Sequence, residues 1–118
     1  YTTEDTLSLH DALPISLEST TAAAAAATPL VEKDIDASIV NMKGAKSYPI
    51  AGFTYIMLLQ EQKDAAKGKA LVDYLWWAIH GGQRLCRALL YSPLPQSIVT
   101  MNEKLLKGVA SNGKPLKQ

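Results

Sequence analysis

The sequence predicts an α/β chain, and three observations predict it. Tyr48–Leu59 reads Tyr-Pro-Ile-Ala-Gly-Phe-Thr-Tyr-Ile-Met-Leu-Leu. From Phe53 it places Phe53, Tyr55, Met57 and Leu59 on one side and Thr54, Ile56 and Leu58 on the other. Both sides are apolar or nearly so, which is the pattern of a strand covered on both faces in the middle of a sheet. The second observation is a helical apolar spacing behind Asp64, over about Ala65–His80. The third is the order helix, strand, strand, helix, helix, helix. Two strands do not make a sheet covered on both faces, so the chain reads as one end of a larger α/β unit.

Composition sets the frame. The 118 residues suffice for one small domain, and the formal charge of +1 gives no argument for a nucleic-acid or membrane partner. Cys86 is the one cysteine, so no intrachain disulfide forms and the redox compartment is not legible. No run approaches the roughly 18 apolar residues of a membrane span. Residues 1–15 stand apart. Thr6–Ile15, Thr-Leu-Ser-Leu-His-Asp-Ala-Leu-Pro-Ile, is similar to one reading frame of a common short-read sequencing adapter, and Thr2-Thr3-Glu4 resembles the sequence upstream of it. The alternative is a short natural helix closed by Pro14. A secretory signal is not indicated, because there is no basic start and the apolar run is short. His10 and Asp11 go with this segment rather than with a catalytic pair.

Ser16 is placed to cap a helix over Leu17–Ala27, with Glu18 in its first turn against the positive helix end. Ala22–Ala27 are strong helix formers that bury little area, so this helix needs a neighbour. Pro29 is expected to stop it, and Leu30–Ala37 to be loop. Ser38–Met42, with Ile39 and Val40, is the second expected strand. Lys43-Gly44-Ala45-Lys46-Ser47 is a turn. Pro49 cannot donate a ladder hydrogen bond and marks the start of the main strand. Gly52 allows a bend there, and Gln60-Glu61-Gln62-Lys63 is a polar connection.

Asp64 is a good N-cap for the helix that follows. Gly68 is expected to weaken its first turns by about 1 kcal/mol relative to Ala. Leu71, Tyr74, Leu75, Ala78 and Ile79 form one apolar face, with Trp76 and Trp77 flanking it, which predicts a helix wrapped more than half way round. Gly81-Gly82 breaks it. A shorter helix over Gln83–Leu90 is expected to turn Leu85, Ala88 and Leu89 inward and Arg84 and Arg87 outward. Tyr91-Ser92-Pro93-Leu94-Pro95 is a rigid link, and Pro95 suits the first position of a last helix, Pro95–Lys107. Ile98, Met101 and Leu105 are its stripe, interrupted by Asn102. Ser111-Asn112-Gly113-Lys114 is a turn.

Several of these stretches carry a resemblance when taken in order. They are Ser16–Ala27, Tyr48-Pro49-Ile50-Ala51-Gly52-Phe53-Thr54-Tyr55, Gln62-Lys63-Asp64, Gly68–Ala78, Gly82-Gln83, Tyr91-Ser92-Pro93-Leu94-Pro95 and Asn112-Gly113-Lys114-Pro115-Leu116. Together they are similar to the C-terminal portion of the phosphate-binding proteins of bacterial phosphate ABC transporters, over essentially all of residues 16–118. The resemblance implies a partial periplasmic-binding-protein fold of the type II, two-lobe kind. Residues 16–47 would belong to lobe two, 48–54 to a crossing strand and 55–118 to the returning part of lobe one. Pro49 and Gly52 become hinge candidates, where backbone rotation is absorbed. An ordinary strand start is the alternative for both.

The same resemblance implies inorganic phosphate as ligand, a transmembrane permease as partner and a monomeric intact protein. It also implies a periplasmic or otherwise extracytoplasmic location, with any export signal or lipid-anchor cysteine N-terminal to this stretch. The family's ligands are hydroxyls, helix N-terminal N–H groups, an arginine and an aspartate. Their motifs lie upstream, so no ligand residue is assigned here. Thr20 and Thr21 sit inside a helix and match no ligand motif, and Arg84 and Arg87 match solvated positions. Leu90 stands where the family usually has glycine and is expected to resist a left-handed C-cap. Cys86 replaces a small residue, Gln60 stands where lysine is common, and Met101-Asn102 is unusual.

No enzyme constellation is visible. Cys86 and His80 lie on different sides of any helix joining them, and no phosphate loop, metal spacing or carboxylate pair occurs, so no cofactor is expected. Two other readings stay open: a solute-binding protein for a different anion, or a non-functional truncated reading frame that binds nothing. In either case the chain alone is expected to be poorly stable, because the strands flanking Phe53–Leu59 are not within it.

Overall fold

Two small apolar clusters, each built mainly by helices, organise the residues that the structure, a computed structural model, describes: 17–34 and 38–117. Residues 1–15, with His10 and Asp11, and the expected Ser16 cap lie outside the described residues. The architecture is helices with one small two-stranded sheet, compatible with a partial α/β fold.

The alanine-rich segment forms α1, Leu17–Ala26. Ala27 makes a turn whose N–H still reaches the Ala23 carbonyl at 3.1 Å. Then α2, Thr28–Val31, adds one more turn with Pro29 inside it. The first helix, α1, therefore ends within a residue of the expected Ala27, but Pro29 sits in a further helical turn, and Leu30 and Val31 are helical rather than loop. A proline in a first turn gives up only an N–H that lacks an intrahelical acceptor. The first cluster joins Ala23, Ala24, Ala27 and Val31 to Ile39, Ala51 and Ile98. Four of its seven buried members are alanines, so the area removed from water is small.

Neither expected strand forms a ladder among the described residues. At Ser38–Met42, Ile39 is buried but Asn41 takes a φ of 57°, and its N–H donates to the Pro49 carbonyl at 2.8 Å, closing a loop. Phe53–Leu59 is irregular backbone, and Met57 is 98% exposed. A strand is completed by neighbours on both edges, and the described residues supply none for it. The sheet contact falls one step later, on the expected connection. Glu61 bridges Ala110 in parallel: the Gln62 N–H donates to the Ala110 carbonyl, and the Ala110 N–H to the Gln60 carbonyl, both at 2.8 Å.

The next helix, α3, runs Ala65–Ile79, within a residue of the prediction. Asp64 caps it, one carboxylate oxygen accepting from the N–H of Ala66 at 2.9 Å and of Lys67 at 3.0 Å. Such a cap is worth about 1 kcal/mol. The covered face is rotated from the expected one. Gly68, Val72 and Leu75 are buried, whereas Leu71, Tyr74 and Trp77 are exposed. The helix packs against α4, Gln96–Lys107, and against β1, Ala110–Ser111, on one side, so the expected wrapping does not occur.

After α3 the chain makes two 3-10 turns, Gly81–Leu85 and Arg87–Leu89, instead of one helix. Arg84 and Arg87 are exposed as expected, but so are Leu85, Ala88 and Leu89. Leu90 adopts φ 60° and ψ 31°, the left-handed conformation that its side chain was expected to resist. That conformation costs a non-glycine residue about 1–2 kcal/mol. Because the Leu90 side chain is exposed, Leu90→Gly loses no packing. It is expected to raise stability by up to about 1 kcal/mol after the extra freedom of unfolded glycine is subtracted. The midpoint of urea unfolding checks this, and an unchanged or lower midpoint refutes it.

In α4, Pro95 holds the extended capping position just before the first helical residue rather than the first turn itself. Ile98, Val99 and Leu106 are buried, while Leu105, expected in the stripe, is exposed. The expected turn at Ser111–Lys114 is a hairpin: β1 pairs antiparallel with β2, Lys114–Pro115, in the register Ala110 to Pro115 and Ser111 to Lys114. Asn112 and Gly113 take φ of 50° and 72°, the two positive values of a type I′ loop. The second cluster gathers Val72, Leu75, Leu106 and Val109, with Leu58, Trp76, Ile79 and Leu116 against it.

Candidate functional site

The stretch singled out from sequence links the two clusters. Ala51 and Phe53 belong to the first, and Leu58 to the second. Pro49 and Gly52, the hinge candidates, lie at its start and are both exposed. Pro49 offers its carbonyl to Asn41. At Gly52 an added Cβ meets nothing within 4 Å, so local crowding does not demand glycine there.

Alongside this stretch runs a cleft of about 600 Å³ between it, α3 and α4. Its walls are mainly apolar, with Phe53, Ile56, Leu75, Ile79 and Met101 among them, and among the described residues Lys104 is the one cation lining it. An oxyanion site needs several donors converging on oxygen atoms. These walls instead suit an apolar neighbour.

The polar groups weighed from sequence are held elsewhere. The Thr21 hydroxyl donates to the Pro93 carbonyl at 2.9 Å, tying α1 to the proline-rich link, and Thr20 is half-buried in α1. Arg87 pairs with Glu18 at 2.6 Å. A local backbone hydrogen bond first, and Arg87 second, hold the Glu18 carboxyl below its ordinary value. Both side chains are exposed, so the pair adds little stability. The N–H groups opening α3, the type of donor that binds anions, are already engaged by Asp64. Half-buried Cys86 lies 4.0 Å from the Gln83 side-chain oxygen, while His80 contacts Trp76 and Glu103. Cysteine and histidine thus have separate partners.

Sequence reasoning missed Gln83. Its amide nitrogen donates to the Ala78 carbonyl at 2.9 Å, and its oxygen accepts from the Leu94 N–H at 2.7 Å. One side chain therefore fixes the link to the end of α3. Its place after Gly81-Gly82 was the available signal, since a broken helix end leaves carbonyls that need donors. The partners of Asp73 were not legible either. Its carboxylate accepts from Lys69 at 2.6 Å and Lys117 at 3.0 Å, and these two bonds, Lys69 first, lower its carboxyl pKa. Among the described residues no group of three or more His, Cys, Asp or Glu is placed to hold a metal, and no helix is long and apolar enough to cross a membrane.

Comparison with known proteins gives two similar curated relatives, the phosphate-binding proteins PstS of Xylella fastidiosa strains 9a5c and Temecula1. Each is 36% identical to this chain over 88 residues, which is 75% of this chain and 24% of the relative. The chain spans about a quarter of the length of the curated relatives it matches. Both are named as binding proteins rather than enzymes. No family profile and no solved structure matches the chain.

Proposed function

We propose that this chain is the C-terminal portion of a phosphate-binding protein serving a bacterial ABC-type uptake system. It holds the segment that crosses between two lobes, with its supporting helices, and not the residues that grip the anion. The observation that carries this reading is the identity with PstS over three quarters of the chain, against a quarter of that protein's length. Residues 16–47 are assigned to lobe two, 48–54 to the crossing and 55–118 to lobe one, with Pro49 and Gly52 as hinge positions. Along 51–58 the chain passes from the first apolar cluster, which Ile98 of α4 also joins, to the second. The complete protein, in this reading, is a monomer outside the cytoplasmic membrane that passes inorganic phosphate to a transmembrane permease and catalyses nothing.

Calorimetry tests it on two samples. This chain titrated with phosphate is expected to give no binding heat, because the Thr21 hydroxyl and the N–H groups opening α3 are already engaged. A longer genomic copy carrying the lobes ahead of Ser16 is expected to bind phosphate and to discriminate against sulfate. Tight phosphate binding by this chain alone overturns the placement of the ligand groups upstream. Preference of the longer copy for another anion overturns the assignment to phosphate.

A further inference from the structure

We propose that His80 is a pH-operated clasp, holding the end of α3 to α4 when its ring is doubly protonated. The ring sits between two acceptors. Its Nδ1 lies 2.7 Å from the Trp76 carbonyl oxygen, and its Nε2 lies 2.8 Å from a Glu103 carboxylate oxygen. A carbonyl accepts only, and so does an ionised carboxylate. Neutral imidazole has one N–H and satisfies one of them. Imidazolium has two and satisfies both, so the observed geometry selects the charged form.

Two further features favour that charge. The ring stacks on the Trp76 indole, centroids 4.8 Å apart and planes 29° apart, where a cation meets the negative face of the aromatic system. It also follows the last turn of α3, the negative end of the helix dipole, which attracts positive charge. The charged groups around it come from both neighbouring elements. Glu103 and Lys107 are on α4, and Lys117 is on the tail after β2. Lys107 and Lys117 stand 5.7 and 5.0 Å from the same indole and oppose a third cation, but Asp73 partly neutralises Lys117.

The balance raises the His80 pKa above its ordinary 6.5, through the Trp76 carbonyl first and Glu103 second, against partial burial and Lys117. A value raised by folding fixes the sign. The clasp contributes fully below the unfolded value near 6.5 and is lost as pH climbs through the higher folded value. Mild acid thus tightens the α3–α4 junction, and alkaline solution releases one of its two bonds.

Proton NMR of the His80 ring tests this, with His10→Gln separating its signal from the other histidine. The expected midpoint lies above 6.5 and falls in Glu103→Gln, which keeps an acceptor but removes the charge. A midpoint at or below 6.5, or one that Glu103→Gln leaves in place, overturns the clasp. Urea unfolding between about pH 5.5 and 8.5 gives a second reading. The unfolding midpoint is expected to fall across this window in the parent chain and to fall less in His80→Gln. Equal slopes in the two chains also overturn it.

Discussion

Val72→Asp is expected to abolish the packed α3–α4 unit. Val72 is fully buried, the largest side chain of which that is true among the described residues. Its cluster is made of Val72, Leu75, Leu106 and Val109, flanked by Leu58, Trp76, Ile79 and Leu116. A carboxylate placed there leaves water without a partner. Such substitutions cost about 4 kcal/mol or more, against a total of about 5–15 kcal/mol for an ordinary domain. Val72→Ala, which leaves a small cavity without a charge, is expected to cost about 2 kcal/mol. Far-UV circular dichroism and amide exchange along α3 report the outcome. Native-like protection in Val72→Asp would show that α3 does not depend on this cluster.

Gly68→Val is expected to cost about 2–3 kcal/mol, and Gly68→Ala about 1 kcal/mol, although helix propensity alone favours alanine by a similar amount. The reversal comes from packing. A Cβ on Gly68 would stand 2.7 Å from a Leu116 methyl and 2.8 Å from both Cβ and Cγ of Gln62. The leucine methyl can swing aside. Gln62 is held at both ends, its backbone N–H on the Ala110 carbonyl at 2.8 Å and its side-chain amide on the Leu59 carbonyl at 2.5 Å. Moving it disturbs the bridge that joins 60–62 to the hairpin. The measurements are the denaturation midpoint and the exchange rate of the Ala110 amide. A Gly68→Ala chain more stable than its parent would mean that Gln62 yields at little cost.

What the sequence revealed and what it hid follow from how local each signal is. Asp64 caps α3 through N–H groups two and three residues away, and Asn112-Gly113 makes its loop from its own backbone freedom, so both were legible. Phe53–Leu59 was legible as apolar and extended, but its lack of a ladder among the described residues was not, because a ladder is a property of two segments. The face of α3 failed for a related reason. Periodicity marks Leu71, Tyr74 and Leu75 as one apolar side, while only what stands opposite decides that Val72 and Leu75 are covered and Tyr74 is not. Leu90 shows the hierarchy plainly, since Gly81-Gly82 and the proline link fix a turn that the leucine then has to accept. At the candidate site the resemblance proposed 48–54 as a crossing stretch. The tie from Thr21 to Pro93 spans 72 residues of sequence and carried no local mark.

The stretch 53–59, outside any ladder among the described residues, also makes the chain sensitive to its own abundance. Ile56, Met57 and Leu59 face water on a stretch that joins no ladder among the described residues, and an extended peptide can zip onto such a segment. Dilute chains meet only solvent there. Crowded ones meet each other, and identical segments stack into register more readily than unlike ones. Solubility would then be limited by dose rather than by heat, and a culture that overproduces this polypeptide would collect it as inclusion bodies.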